Sequence, residues 1–311
     1  MWNLSFEPPQ VVQARVLATL PDALRLRRAS DWAHANKPGQ VVDSFLEGPA
    51  FDRAGNLYLT DIAHGRIFRL TPAGQWQAVA ETGGWPNGIA IDRDGDLWVA
   101  DYRRGLLRVR PAEGNVEVML GHRNSESFKG LNDLHFDLRG NLYFTDQGQT
   151  GLHDPSGRVY RLRPSGQLDL LLANGPSPNG VALDPAGQVL YMAMTRANAV
   201  WRAPLLADGS LSKVGAFRTF FGASGPDGLA VDAKGRLVVA HASLGGAFVL
   251  NARGEVTHFV RSPAGSTVTN LAFQPETSTL VMTESQTGTV LHATLPDIGA
   301  PLWSHADAAG H

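Results

Sequence analysis

A short motif recurs six times along the 311 residues. In each copy an oxygen-bearing side chain, flanked by Gly or Leu, stands just ahead of an apolar run. The six are Glu47 in LEGPAF, Asn87 in PNGIAI, Asn132 in LNDLHF, Asn179 in PNGVAL, Asp227 in PDGLAV and Asn270 in TNLAF. Their spacing is roughly 40 to 48 residues, a period that belongs to propeller blades.

The rest of each repeat agrees. Blade two reads GIAI, a DRDGD turn, LWVAD, a YRR connection, LLRVR, a PAEGN turn and VEVML, which is four strands joined by tight turns. The second strands LYLTD, LWVAD, LYFTD, LYMAM, LVVAH and LVMTE match one another. An Asp-x-x-Gly turn follows the first strand five times, from Asp52, Asp92, Asp137, Asp184 and Asp232, and is degenerate at Gln274. Asp hydrogen-bonds the turn backbone and Gly takes the left-handed position. Inner strands are continuous apolar runs, as burial on both faces requires.

These repeats predict an all-β, six-bladed β-propeller of four-stranded antiparallel blades forming one domain over residues 1–311. Circular closure needs the two chain ends to share a blade, so residues 11–20 are expected to supply the outer strand of blade six. Residues 21–40 match no repeat and are expected to form a helix and loop over one mouth of the tunnel. The blades are expected over about 41–300, followed by a flexible tail over about 303–311.

Composition narrows the function. A core of this length needs no staples, and the chain has no Cys, which excludes disulfides, thiolate metal sites and cysteine nucleophiles. The net charge is −2 with Lys and Arg scattered, so no basic stripe for nucleic acid exists. No apolar run approaches the ~18–20 residues of a membrane span. The opening MWNLSFEPPQ lacks the basic-then-apolar order of a secretory leader, so a cytoplasmic protein without membrane attachment is expected. No nucleophile elbow, phosphate loop or dinucleotide fingerprint stands outside the repeat turns. The oligomeric state is open.

If each motif opens an innermost strand, the six side chains converge on the propeller axis. Asn and Asp beside Gly are also common turn residues, which is a sufficient account of Asn87 and Asn270 taken alone. Glu47 is different, because Glu is a poor turn former and a carboxylate buried near the axis needs compensation. Asp227 is a second carboxylate at the same depth, and two like charges facing each other call for a cation between them. Oxygen-only donors favour Ca²⁺, with Mg²⁺, Mn²⁺ and Zn²⁺ as alternatives. Glu47, Asn132, Asn179 and Asp227 supply four protein ligands, leaving positions on Ca²⁺ for water and substrate.

The ordered motifs EGPAFD at 47–52, LNDLHFD at 131–137, PNGVALD at 178–184, PDGLAVD at 226–232 and TNLAF at 269–273 also carry a family resemblance. Over roughly residues 40–295 the chain resembles the senescence marker protein/gluconolactonase family of six-bladed propellers. Diisopropylfluorophosphatase and the paraoxonases are more distant members of that structural group. The resemblance implies a catalytic Ca²⁺, or another divalent ion, in the tunnel, held at Glu47, Asn179 and Asp227. Asn132 matches a position that binds substrate in some members and metal in others, and Asp227 matches the proposed general base or nucleophile. Two departures stand out. Met194 replaces the acid that many relatives carry at the end of the fourth blade's second strand, where the other blades have Asp61, Asp101, Asp146, His241 and Glu284; a less polar fourth-blade wall follows. Ala230 and Ala272 occupy the places of a deeper, structural calcium site, so no copy of it is expected.

The chemistry this implies is hydrolysis of a lactone, with the metal on the carbonyl oxygen and Asp227 as base or nucleophile. Asn132, Asn87, His153 and His241 are the candidate substrate contacts. Walls are expected from the loops 121–129, 147–157 and 222–225, with Trp85 and Phe128 lining the cavity or packing between blades. His135 is expected to make structural hydrogen bonds, and His64 and Arg103 to be surface residues. An esterase or phosphotriesterase on the same metal, and a non-catalytic ligand-binding propeller, are the alternatives.

Overall fold

The computed structural model describes residues 7–306. The six repeats form six antiparallel sheets, each running from an inner strand outward in chain order. The inner strands are Leu46–Phe51, Pro86–Ile91, Leu131–Phe136, Pro178–Leu183, Pro226–Val231 and Val268–Phe273. Each touches the inner strand of the next blade, and the last touches the first, so they close a ring around a central tunnel. The all-β six-bladed propeller read from the repeats is therefore the fold.

The Asp-x-x-Gly turns form as their chemistry requires. The Asp92 carboxylate accepts from the N–H groups of Asp94 and Asp96, and Gly95 takes φ +87°. In the degenerate sixth copy a non-glycine residue, Glu276, is held at φ +59°.

Closure uses the N-terminal segment twice. Arg15–Thr19 pairs antiparallel with Thr289–Thr294 and completes blade six, within the expected span of 11–20. Gln10–Gln13 pairs parallel with Val256–Arg261 and adds a fifth strand to blade five, which the repeat pattern did not foretell. Leu20 follows directly and is fully buried with Leu46, Leu57, Phe68 and Val290 at the seam between blades six and one. Side chains of this size contribute roughly 1.5–3 kcal/mol each when buried.

Residues 21–40 hold a 3-10 turn, Asp22–Leu24, and a short helix, Asp31–Asn36, capped by Ser30 Oγ accepting from Ala33 N–H. Trp32 and Ala33 pack on Ile62 and Ala63, which seats the helix over the mouth where the inner strands begin. No helix among the described residues is long and apolar enough to cross a membrane.

At the other mouth the structure departs from the expected flexible tail. Trp303–His305 form a 3-10 turn; Trp303 lies 4.6 Å from the Phe136 ring, and the Ser304 carbonyl accepts from Arg53 Nε at 2.6 Å. An aromatic residue with an apolar partner has a reason to stay packed. Residues 307–311 of that expected tail lie outside the described residues.

Candidate active site

Every inner strand breaks register with its neighbour at the motif. In blade four, Pro178 pairs with Met194 and Val181 with Met192, leaving Asn179 and Gly180 bulged out of the ladder. Such a bulge re-aims side chains. It turns Glu47, Asn87, Asn132, Asn179 and Asp227 into one chamber of about 770 Å³ at the mouth beneath the short helix. All five are buried.

The sixth position needs correction. Val268 pairs with Glu284 and Leu271 with Met282, so Thr269 is the counterpart of Asn179, and Asn270 occupies the place of Gly180. Thr269 lines the upper chamber, whereas Asn270 faces a lower chamber at the far end of the tunnel. Asp133, which the sequence reading passed over, is shifted in the same way and lies beside Asn270. Side chains at this inner level fit because the neighbouring blades carry glycine there. A Cβ on Gly88 would collide with the Asp133 carboxylate, and one on Gly228 with the Asn270 amide.

Three carboxyl groups thus share the tunnel axis. Burial pushes the Glu47 carboxyl up to about 7, against hydrogen bonds from Gly48, Thr269 and Asn270. Burial, aided by the charge of Glu47, pushes Asp133 up to about 8. Asp227 is raised well above the ordinary carboxylate range, first by burial and then by the charges of Glu47 and Asp133, with Asn179 and Arg196 pulling the other way. The Asn179 Oδ1 is buried without a hydrogen-bond partner. Asn132 donates from Nδ2 to Gln147 Oε1 at 2.8 Å, and Gln147 donates to Ser177 Oγ at 2.9 Å. This leaves the Asn132 oxygen and its second N–H for the chamber. Crowded acids beside an orphaned amide oxygen fit a hard divalent cation.

Residues that the sequence reading did not name join Trp85, which it offered as a lining residue, to complete the chamber. Trp32 and Phe45 pack at 4.7 Å, and Trp85 and Tyr102 at 5.5 Å, making an apolar lip. Arg103 lies 4.0 Å over Trp85 and pairs with Asp31 at 3.2 Å, so it clamps the helix to blade two and is more than a surface residue. The loop 147–157 walls the chamber through Gln147, Thr150 and His153, and the loop 222–225 contributes Ser224. The loop 121–129 instead folds as a small hairpin, and Phe128 packs on Phe144 and Tyr160. His64 bonds the Val42 carbonyl at 2.9 Å.

Three further expectations change. His241 is fully buried between Phe220 and Phe248, with Nε2 3.3 Å from Asn198 Oδ1, and it stands apart from the chamber because its flanking aromatics close over it. His135 lines the lower chamber, has no hydrogen-bond partner among the described residues, and is driven down to about 4 by burial. Met194 lies in the blade-four core; the wall there is Thr195, Arg196, Ser177 and Asn179, which is polar. The second-strand acids that Met194 replaces do not face the chamber. Each accepts from the N–H just before its own inner strand: Asp61 from Phe45, Asp101 from Trp85, Asp146 from Gly130 and Glu284 from Thr267. They set where the inner strands begin, and through them the site.

Comparison with known proteins gives a consistent result. Residues 45–286 match the profile of the SMP-30/Gluconolactonase/LRE-like region. A gluconolactonase of Zymomonas mobilis is 29% identical over 285 residues, covering 80% of this chain and 79% of that one. A lactonase drp35 of Staphylococcus aureus is 30% identical over 238 residues, covering 73% and 71%. The crystal structure of regucalcin from Agrobacterium tumefaciens, described as a calcium-binding protein, superposes with a TM-score of 0.72 at 21% identity. It covers 95% of this chain and 99% of that one, a likeness of fold alone.

Proposed function

The chain belongs to the SMP-30/gluconolactonase/LRE-like family, a family of hydrolases, and on that premise we propose that it opens a small lactone using a divalent cation, Ca²⁺ first, in the upper chamber. What supports the cation is the buried, unpartnered Asn179 Oδ1 in a chamber with two buried carboxylates, Glu47 and Asp227. Glu47, Asn179 and Asp227, with Asn132, are the donors that would hold it. A cation bound there polarises the acyl C=O and offsets the negative charge that grows on its oxygen.

The side chains divide the remaining work. Glu47 and Asn179 are anchors. The Asp227 carboxylate takes a proton from the attacking water or itself attacks the acyl carbon. The acyl C–O bond of the ring then breaks and the ring oxygen takes up a proton; this gives the hydroxy acid directly when water attacks, and after water has cleaved the mixed anhydride on Asp227 when the carboxylate attacks. Gln147 holds one N–H of Asn132, so the amide meets the substrate or the cation already oriented. Asn87 and His153 stand on the chamber wall to contact substrate. Trp32, Phe45, Trp85 and Tyr102 limit water at the lip.

The test is hydrolysis of gluconolactone before and after chelation with EDTA, then after calcium is added back. Turnover should disappear and return. Asp227→Asn should lower kcat by about 1,000-fold, within the range for a lost general base. Full activity in the metal-stripped protein would remove the cation, and full activity in the variant would remove Asp227 from the chemistry.

A further inference from the structure

Arg196 is the residue of the upper chamber that the hydrolytic reading leaves without a task. It sits in a 3-10 turn, Thr195–Ala197, that is fastened to the start of blade five. Thr195 Oγ1 donates to the Pro226 carbonyl at 2.8 Å, and Asn198, in the left-handed region at φ +49°, donates from Nδ2 to the Ser224 carbonyl at 2.8 Å. Gly225 lets the two segments close, since a Cβ there would strike the Thr195 carbonyl. The turn therefore holds a guanidinium on the same wall as Asp227, with its stem against Gly151 and next to the His153 ring.

Among the described residues the Arg196 side chain has neither an ion-pair nor a hydrogen-bond partner, and it is exposed. Arg103 at the opposite lip is already paired with Asp31. Lys37, at the end of the short helix, is the other cation lining the chamber without an acidic partner among the described residues, and its ammonium rests 5.8 Å from the Phe45 ring. A divalent cation held by Glu47 and Asp227 would match their two charges, and Arg196, whose charge also acts on Asp227, would have no acid of its own. A guanidinium in that state is a receptor for a carboxylate or a phosphate.

Resting on the lactonase reading, we propose that Arg196 selects lactones that carry an anionic group, a carboxylate or a phosphate, away from the ester. The chamber thereby orders its substrate at two points, the acyl oxygen over the acids and the anion at Arg196.

The experiment compares kcat/KM on three lactones with the same ring. These are D-glucono-1,4-lactone, its analogue with C6 oxidised to a carboxylate, and its C6 phosphate. The wild-type protein should favour at least one charged lactone by roughly tenfold, the scale of one charge-assisted contact, with the preference falling as salt rises. The better of the two identifies the anion. Arg196→Met should bring the charged-to-neutral ratio close to one, Arg196→Lys should keep part of it, and Lys37→Met should keep it. Any influence of Arg196 on Asp227 acts on all three lactones and cancels in the ratio. A wild-type ratio near one, a ratio untouched in Arg196→Met, or its loss in Lys37→Met would overturn the proposal. If none of the three is hydrolysed, the lactonase reading falls, and calorimetry decides Arg196 separately. D-glucarate should then bind the calcium-loaded protein more tightly than D-gluconate, and only while Arg196 is present; equal binding rejects the role.

Discussion

Two sets of carboxylates are buried in this propeller, and they do opposite things. Asp61, Asp101, Asp146 and Glu284 close the second strands and are fully buried. Each is met by backbone N–H donors; Asp101 alone accepts from Trp85, Arg103 and Arg104 and from the Thr82 hydroxyl. Glu47, Asp133 and Asp227 lie only a little less deep, yet burial raises the carboxyl of each, and the charge of Glu47 adds to the rise at Asp133 and Asp227. Burial of an acid is therefore no mark of a site. What separates the sets is where they sit: the first bonds the backbone ahead of its own inner strand and the second faces the tunnel, although Asp146 still has an unpartnered Oδ2 and a carboxyl raised by burial.

Removing a member of the first set should cost the most. Asp101→Ala strands three backbone N–H groups and one hydroxyl, which at about 1–3 kcal/mol for each unsatisfied group, partly relieved by relaxation, amounts to about 4 kcal/mol of stability. Denaturant unfolding would measure it, while calcium affinity at a temperature where the variant is folded should stay near wild type. A loss of affinity as large as the loss of stability would merge the two sets.

The second set should show the reverse sign. In the calcium-free protein Glu47 has a carboxyl raised from 4.5 to about 7. The folded state then holds a proton that the unfolded state releases, so this group's contribution falls as pH rises from about 4.5 to about 7 and is level above that. Glu47→Gln has no proton to lose, so its stability relative to wild type should grow across the same window, by on the order of 3 kcal/mol. His135 and His241, both driven down to about 4, work in the opposite direction but equally in both proteins, so they cancel in the difference; Asp133 and Asp227, which the charge of Glu47 helps to raise, do not, and the difference reports the three acids together. Melting curves in EDTA at pH 5, 6, 7 and 8 decide this, and a difference that does not change with pH would refute it.

The same variant should bind calcium about 100-fold more weakly, since it replaces a charged ligand by an amide. Titration calorimetry reads this directly. Normal affinity would remove Glu47 from the ligand set and leave Asp227 as its one acid from the expected four.

How far the sequence could be read follows from the same contrast. Blade number, strand order, the Asp-x-x-Gly turns and the closing strand were legible because each rests on local chemistry repeated several times. Glu47 was legible because it breaks a rule about turns. Asp133 was not, because Asn132 beside it already filled the motif. A signal existed nonetheless: the residue after the motif position is Gly in four blades, and blade three departs from that with Asp133. In blade six the same slot holds Asn270, and the hydroxyl of Thr269 did not register as its partner, so the reading slipped by one residue. Arg196 was invisible, and Gln147 and Trp32 were foreseen only as parts of a wall loop and a capping helix, for another reason. They reach the chamber from loops and a helix that the repeat does not govern, and only the closed ring brings them together.

That closed ring also sets an order of events during synthesis. Val11 pairs with Phe259, and Arg15 with His292. Residues 10–19 emerge from the ribosome long before the strands they must join, and they wait unpaired while about 240 residues are translated, at 5–20 residues per second. Until residues 10–19 dock, blades five and six each present an outer edge that another extended segment could occupy. The circle therefore closes only if its earliest strands are still unoccupied when the final two blades are complete.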